Sequence, residues 1–284
     1  MTETNNQVPE NQEPETSTQE TIKIIPSRSN DWKEGEYENY QKASSEKEIQ
    51  PDNFKSTSSR VGQVREREGC ERSSREEKVG YNFDECVQYL NKKGKEQYGN
   101  HFSIHPEDYE IIFKLMVYAI KDQKNAAKMN INLNKGILLS GPVGCGKTTL
   151  LTLVNYFQSR QNKHVMKTCR EVSFEFIKEG YDIVHKYSTL SFGKLGNESW
   201  PRIYCFDDLG TENSLKYYGN ECNVMAEILL SRYELFIHKK MLTHLTTNLS
   251  ATEIENLYGS RVRSRMREMY NLIAFDKGVQ DKRK

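Results

Sequence analysis

Residues 136–149 decide the fold, and their sequence reads GILLSGPVGCGKTT. Within it, Gly141 to Thr148 fill every fixed position of the phosphate-binding loop pattern G-x-x-x-x-G-K-[ST]. The apolar run Ile137 to Leu139 precedes the loop, and Leu150 to Leu153 follow it. This context predicts a strand, a loop and a helix in that order, which is the arrangement that the pattern requires.

The loop residues suit a triphosphate because glycines let backbone N–H groups surround phosphate oxygens at the positive end of a helix. Lys147 supplies a positive charge near the β- and γ-phosphates, and the Thr148 hydroxyl supplies a ligand for Mg²⁺. Cys145 is interpreted either as an oxidisable thiol or, preferably, as a small side chain at a variable position. We expect nucleotide contacts from Gly141, Pro142, Val143, Gly144, Cys145, Gly146, Lys147, Thr148 and Thr149.

Composition limits the other classes of protein. The chain has 284 residues, a net charge of +1 and six cysteines without a C-x-x-C pair. A balanced charge excludes a global field that would draw the protein onto nucleic acid or membrane, so such a contact needs a local patch. Scattered cysteines favour reduced thiols over a zinc site or a disulfide framework. No apolar window is long enough to span a bilayer and no signal peptide is evident, so we expect a cytoplasmic protein without membrane contact.

Hydrophobic patterning divides the chain into three segments. Residues 1–78 predict a disordered polar N-terminal arm, because their sparse apolar residues cannot bury a core. Residues 79–130 predict a helical segment that packs on the nucleotide-binding domain. Residues 131–284 alternate strands and helices, which predicts an α/β fold with a five-stranded parallel sheet sandwiched by helices. The few residues after Phe275 leave no room for a full helical lid.

Individual elements of the 131–284 segment are predicted from the same patterning. A helix after the phosphate loop is expected to end near residue 160, and the next to bury Val172, Phe176, Ile177 and Ile183. A later helix, over 221–238, includes Arg232 in its buried stripe. The five predicted strands are 136–140, 164–168, 202–206, 241–246 and 272–275.

Two acidic residues follow the third predicted strand. An apolar strand that ends in Asp is the Walker B arrangement, in which Asp207 holds Mg²⁺. Asp208 is then placed to orient the attacking water, since water is a poor nucleophile without an acceptor for its proton. An Asp is shorter than the commoner Glu by one carbon–carbon bond, which predicts slow hydrolysis or a need for a neighbouring subunit. The alternative is that Asp208 is a turn residue before Leu209 and Gly210.

Two further signals lie downstream. Asn248 ends the fourth predicted strand, where an amide comes close to the γ-phosphate and can distinguish triphosphate from diphosphate. Arg261 and Arg265 share one face of a predicted helix, four residues apart. That face suits an arginine finger that reaches a neighbouring subunit's phosphate, while a solvated basic helix fits the spacing equally well.

These motifs carry a family resemblance. The phosphate loop, DDLGTE at 207–212, LLSRY at 229–233, TTNLS at 246–250 and YGSRVRSRMREM at 258–269 resemble the AAA+ ATPases of the DnaC helicase-loader and IstB transposition-helper branch. The resemblance covers about residues 105–284. It implies a P-loop NTPase fold of the AAA+ type, with ATP and Mg²⁺ as cofactors.

The resemblance also implies roles and partners. Asp207 and Asp208 are the metal-binding and water-activating pair, Asn248 is the first sensor, and Thr148 contacts the Mg²⁺. Arg265 corresponds to the arginine finger, with Arg261 as the alternative, and Arg283 is a candidate second sensor. The expected partners are further copies of the chain, single-stranded DNA and a replication or transposition protein.

Three functions are compatible with the sequence. The first is an ATP-hydrolysing switch that acts on DNA or on a DNA-bound partner. The second is a P-loop kinase of a small substrate, which is disfavoured because no arginine-rich lid is evident. The third is a nucleotide-binding scaffold with little turnover.

Overall fold

Strands and helices alternate along the part of the chain that the computed structural model describes, which is residues 80–212, 215–217, 220–276 and 278–283 with a short strand at 23–25. The helices are α1 (Phe83–Tyr98), α2 (Tyr109–Ala119), α3 (Gln123–Lys128), α4 (Lys147–Val154), α5 (Cys169–Glu179), α6 (Asp182–Tyr187), α7 (Val224–Lys239) and α8 (Ala251–Met269). The strands are β1 (Lys23–Ile25), β2 (Gly80–Asn82), β3 (Gly136–Ser140), β4 (Val165–Thr168), β5 (Phe192–Leu195), β6 (Glu198–Pro201), β7 (Tyr204–Leu209), β8 (Leu215–Tyr217), β9 (Asn220–Cys222), β10 (Thr243–Thr247) and β11 (Tyr270–Ala274).

A five-stranded sheet forms the centre of the fold, in the order β11-β3-β10-β7-β4. Every neighbouring pair in it is parallel, so the carboxyl ends of the strands meet at one edge. β3 pairs with β10 on one side and β11 on the other, which places the end of β3 beside the end of β10. The predicted α/β fold with five parallel strands is confirmed.

Both faces of this sheet are covered, as a parallel sheet requires. On one face α1, α2 and α4 pack with Ile137 and Leu139 of β3 into one apolar core. On the other face α5 to α8 pack with Phe206 of β7 and Leu245 of β10. α1 begins at the Asn82 cap, whose side chain accepts the N–H of Asp84 at 2.9 Å.

Several element boundaries differ from the sequence prediction. The helix after the phosphate loop ends at Val154, because the Asn155 side chain bonds the backbone N–H and carbonyl of His164 and turns the chain toward β4. Ile177 was expected to be buried and is 54% exposed, because Phe176 occupies the inward face of α5. Strand β7 extends to Leu209, three residues beyond the prediction, and so contains both acidic residues. The hairpins β5-β6 and β8-β9 were not predicted.

The predicted arm over 1–78 lies outside the described residues except for β1. β1 pairs in parallel with β2, and so gives the arm one strand where no regular structure was expected. The boundaries 79–130 and 131–284 stay a prediction. In the part of the chain that the structure describes, no helix is both long enough and apolar enough to span a bilayer.

Arg232 is a buried cation that joins several elements. It is 0% exposed, and its guanidinium donates to the Thr243 hydroxyl at 2.7 Å and to the carbonyl of Tyr187 at 2.7 Å. Two more bonds reach the carbonyls of Leu242 and Arg202, at 2.8 and 3.1 Å. Burial lowers the pKa of Arg232 to about 10, so the group is still charged at neutral pH. These bonds hold α7, α6 and β10 together at the end of the sheet that lies away from the phosphate loop.

Two buried histidines form a second unusual feature of the core. The rings of His164 and His244 lie 5.0 Å apart, and both ring nitrogens of His164 have no hydrogen-bond partner among the described residues. His244 accepts the N–H of Ile137 at 3.0 Å. Burial lowers the pKa of His164 to about 4, and burial together with the His164, Lys121 and Arg232 charges lowers that of His244. Both rings are therefore neutral in the folded chain at neutral pH.

We expect this pair to destabilise the fold in mild acid. A histidine whose folded pKa lies below its unfolded value binds a proton first in the unfolded chain, so stability falls as the pH drops from about 6.5 toward 4. Between pH 7 and pH 5 the His164 contribution is about 2 kcal/mol. Urea unfolding at both pH values measures it in the parent and in His164→Phe, with His238→Asn as the surface control. An equal pH dependence in the parent and His164→Phe contradicts the prediction.

Candidate functional site

The phosphate loop connects β3 to α4 in a left-handed conformation at two glycines. Gly144 has φ 81° and Gly146 has φ 97°, values that side chains rarely tolerate. A Cβ on Gly144 would lie 2.0 Å from a carboxylate oxygen of Asp281, whereas a Cβ on Gly146 would meet open space. Within the described residues the N–H groups of these two glycines have no protein acceptor. The loop therefore offers open donors at the start of α4, which suits an anion.

Lys147 lies at the start of α4 with its charge directed into the loop. It is 6% exposed, and its Nζ donates to the carbonyls of Gly141 and Pro142 at 2.9 and 2.8 Å. In the described residues its ammonium has no carboxylate partner. Neutral carbonyls leave the charge uncompensated, so a phosphate would be a stronger partner.

The side chain of Cys145 is buried inside the phosphate loop. It is 1% exposed, and burial raises the pKa of its thiol although the Lys147 charge opposes this shift. A raised pKa disfavours the reactive thiolate. The interpretation as an oxidisable residue was therefore wrong, and the small-side-chain interpretation is retained.

Asp207 lies within hydrogen-bond reach of the phosphate loop. The Thr148 hydroxyl donates to its carboxylate, 2.8 and 3.0 Å from the two oxygens, and Thr246 donates to one of them at 2.6 Å. Burial raises the pKa of the Asp207 carboxyl, and the bonds from Thr246 and Thr148 partly offset this. A hydroxyl and a carboxylate side by side are hard oxygen ligands of the kind that Mg²⁺ prefers. The residues present therefore fit the predicted metal.

Asp208 and Asn248 approach the loop from the ends of two adjacent strands. Asp208 lies one residue before the end of β7 and has φ 55°, a left-handed conformation uncommon for a residue with a side chain. Asn248 directly follows β10 and is exposed. Both line the same cavity as the phosphate loop. The structure therefore brings together the residues predicted for water activation and for phosphate sensing.

Arg265 lies apart from this cavity. Its guanidinium sits over the Tyr233 ring of α7 at 4.6 Å, and one nitrogen is 3.4 Å from Glu234. Helix α8 is broken at Gly259, where φ is 87°. Arg261 lies near the start of the helical part that follows this break, and its side chain is exposed. Neither arginine lines the cavity in its own chain. This placement fits a group that acts on another chain, and it leaves the choice between the two arginines open.

The cavity has a volume of about 500 Å³ and includes walls that the sequence did not predict. Residues 101–105, between α1 and α2, form one wall together with Tyr98, and this wall includes the ring of Phe102. Phe102 packs against Gly94, where a Cβ would lie 2.0 Å from its ring. A planar aromatic wall beside a phosphate loop provides a surface for a nucleobase.

Lys282 closes another side of the cavity. Its Nζ lies 2.5 Å from both carboxylate oxygens of Asp108, and its backbone N–H donates to the Gly144 carbonyl at 3.1 Å. Arg283, the candidate second sensor, also lines the cavity. No local pattern predicts the Lys282–Asp108 pair, because these residues are 174 positions apart.

Comparison with known proteins gives likenesses of fold. No protein-family model and no curated protein matches the chain. The DnaC helicase loader has 18% identity and a TM-score of 0.43, over 64% of this chain and 99% of its own. A primosome component of Streptococcus pyogenes serotype M3 has 15% identity and a TM-score of 0.40, over 62% and 83%. DnaI has 22% identity and a TM-score of 0.37, over 52% and 73%.

The order of the sheet and the position of the loop decide the fold type. The loop follows β3, which lies between β11 and β10, and β10 separates β3 from the acidic strand β7. The fold is of the AAA+ type. The predicted AAA+ fold is therefore confirmed, while the roles of individual site residues stay predictions.

Proposed function

We propose that the chain binds ATP with Mg²⁺ and hydrolyses it as a AAA+ switch that acts on DNA or on a DNA-bound partner, as a helicase loader or a mobile-element helper. The observation that carries the ATPase part is the convergence of Lys147, Thr148, Asp208 and Asn248 on one cavity, with Asp207 bonded to the Thr148 hydroxyl. The DNA-related part rests on the sequence resemblance. We place the protein in the cytoplasm because its scattered cysteines favour reduced thiols over a disulfide framework.

Each residue has a distinct task in this proposal. Lys147 exchanges its two carbonyl partners for phosphate oxygens, and the open N–H groups of Gly144 and Gly146 bind the same anion. Thr148 and Asp207 would hold Mg²⁺, which supplies neutralisation of phosphate charge when bound. Asp208 accepts a hydrogen bond from the attacking water and orients it, and Asn248 bonds the water or the γ-phosphate.

Assembly is the second part of the proposal. Arg265 is held on α7 and contributes nothing to its own cavity. A homo-oligomer in which α8 of one chain faces the cavity of the next would supply the missing positive charge. Nucleotide binding would then be a property of one chain, and hydrolysis a property of the pair.

ATP turnover with and without single-stranded DNA tests the proposal. Turnover stimulated by DNA supports the switch. Phosphoryl transfer to a metabolite supports a kinase instead, and tight binding without turnover supports a scaffold. Pull-down from the native host then identifies the partner.

Asp208→Asn separates binding from chemistry. The substitution keeps shape and removes the carboxylate, so we expect turnover to fall about 10²-fold or more while ATP affinity is nearly unchanged. Single-turnover hydrolysis and titration with a fluorescent ATP analogue measure the two quantities. Asp182→Asn, an exposed Asp on α6, is the matched control. Parental turnover in Asp208→Asn would mean that Asp208 is only a turn residue.

A further inference from the structure

The two acidic residues of β7 lie in a β-bulge opposite a single residue of β10. Phe206 pairs with Leu245 and Leu209 pairs with Thr247, so Asp207 and Asp208 together face Thr246. Successive side chains of a regular strand point to opposite faces of the sheet. A bulge inserts one extra residue and redirects the side chains beside it. Here it places two consecutive acidic residues opposite a single threonine.

Thr246 fills this bulge with its hydroxyl. The side chain is 0% exposed, donates to Asp207 Oδ1 at 2.6 Å and accepts the N–H of Asp208 at 2.8 Å. One oxygen therefore fixes the carboxylate of the first acidic residue and the backbone of the second. The φ of 55° at Asp208 is a strained conformation for a residue with a side chain, and it persists only when surrounding contacts hold it.

We propose that Thr246 is a positioning residue, which sets the direction of the Asp207 and Asp208 carboxylates through the bulge. This inference rests on the proposed ATPase function. Without the hydroxyl, Asp207 loses one of its two hydroxyl donors and the N–H of Asp208 loses its acceptor. The metal-binding and water-orienting groups then lose their common anchor, while the phosphate loop keeps its own contacts.

Thr247 provides a matched control on the same strand. It is also 0% exposed, but its hydroxyl donates to the Leu209 carbonyl at 2.8 Å and accepts the Leu249 N–H at 3.0 Å. Its partners are backbone groups only. Loss of the Thr247 hydroxyl should lower the stability of the fold by an amount similar to loss of the Thr246 hydroxyl, without removing a bond to a carboxylate.

The test compares Thr246→Val, Thr246→Ser and Thr247→Val in the full chain, after urea unfolding has established that each is folded. Steady-state kinetics give kcat and KM for ATP, and electron paramagnetic resonance gives the affinity for Mn²⁺ in the presence of a non-hydrolysable ATP analogue. For Thr246→Val we expect kcat and Mn²⁺ affinity each to fall about 10- to 100-fold, with KM nearly unchanged. Thr246→Ser should restore both, and Thr247→Val should leave both at the parental value.

Equal effects of Thr246→Val and Thr247→Val on kcat and Mn²⁺ affinity would overturn the inference, as would failure of serine to restore them. If Thr246→Val does not fold, the kcat and Mn²⁺ affinity of Thr246→Ala are compared with those of Thr247→Val instead. A parent chain that binds no nucleotide overturns the proposed function and this inference together. If the parent chain hydrolyses ATP but Thr246→Val and Thr247→Val have the same kcat and Mn²⁺ affinity, only the inference about Thr246 is overturned.

Discussion

Lys147→Ala should abolish ATP binding at micromolar nucleotide while the fold stays intact. Its ammonium is the charge that the phosphate loop directs inward, and it bonds the neutral carbonyls of Gly141 and Pro142. Two opposite charges about 4 Å apart near a protein surface attract by about 4 kcal/mol, which corresponds to about 10³-fold in affinity. Titration with a fluorescent ATP analogue measures the loss.

The control for this variant is Lys163→Ala, an exposed lysine before β4. It removes the same charge from the chain at a position outside the cavity walls. Its affinity should equal that of the parent. An unchanged affinity in Lys147→Ala would reject the assignment of the phosphate loop.

Arg265→Ala should retain ATP binding and lose hydrolysis by 10³- to 10⁵-fold, roughly 4 to 7 kcal/mol, the range typical of arginine fingers. The side chain rests on Tyr233 and Glu234 of its own α7, so it must leave them to reach a neighbour's phosphate. The exposed Arg267, on the same helical part of α8, supplies the control Arg267→Ala. Arg261→Ala, in the same assay, decides which arginine acts.

Mixing experiments test whether Arg265 acts between chains. The Arg265→Ala chain has an intact cavity, and the Lys147→Ala chain has an intact Arg265. A mixture of the two should therefore recover part of the turnover. ATPase assays over a range of protein concentrations complete the test. Turnover per chain that is constant down to nanomolar protein, without recovery in the mixture, would show that the arginine helix is only a solvated surface.

The parts of the site that depend on local sequence were predictable. β3 has the predicted bounds because an apolar run and a fixed loop pattern adjoin there. The Walker B residues were also located, since an apolar strand ending in Asp is a local signal. The bulge opposite Thr246 was missed, because a register shift depends on how two strands pair and leaves no periodic trace in either.

Contacts between distant segments account for the other omissions. The Lys282–Asp108 pair and the aromatic wall at Tyr98 and Phe102 arise only when separate parts of the chain meet. The hairpin β5-β6 has few alternating apolar residues, so its strands resembled loop. The choice between Arg261 and Arg265 depends on a second chain, and one sequence contains no measure of that contact.

The pairing of β3 also has a consequence for synthesis on the ribosome. Its partners are β10 and β11, and the contacts that join it to His244 and Asn271 span 107 and 135 positions. Long-range pairing slows folding, because the chain entropy of the intervening loop must be lost before the contacts form. The emerging chain therefore carries β3 without a partner on one of its two sides until β11 has left the exit tunnel. A nascent chain stalled before β11 should be protease-sensitive and prone to aggregate, and release of the last sheet strand should make the whole nucleotide site appear at once.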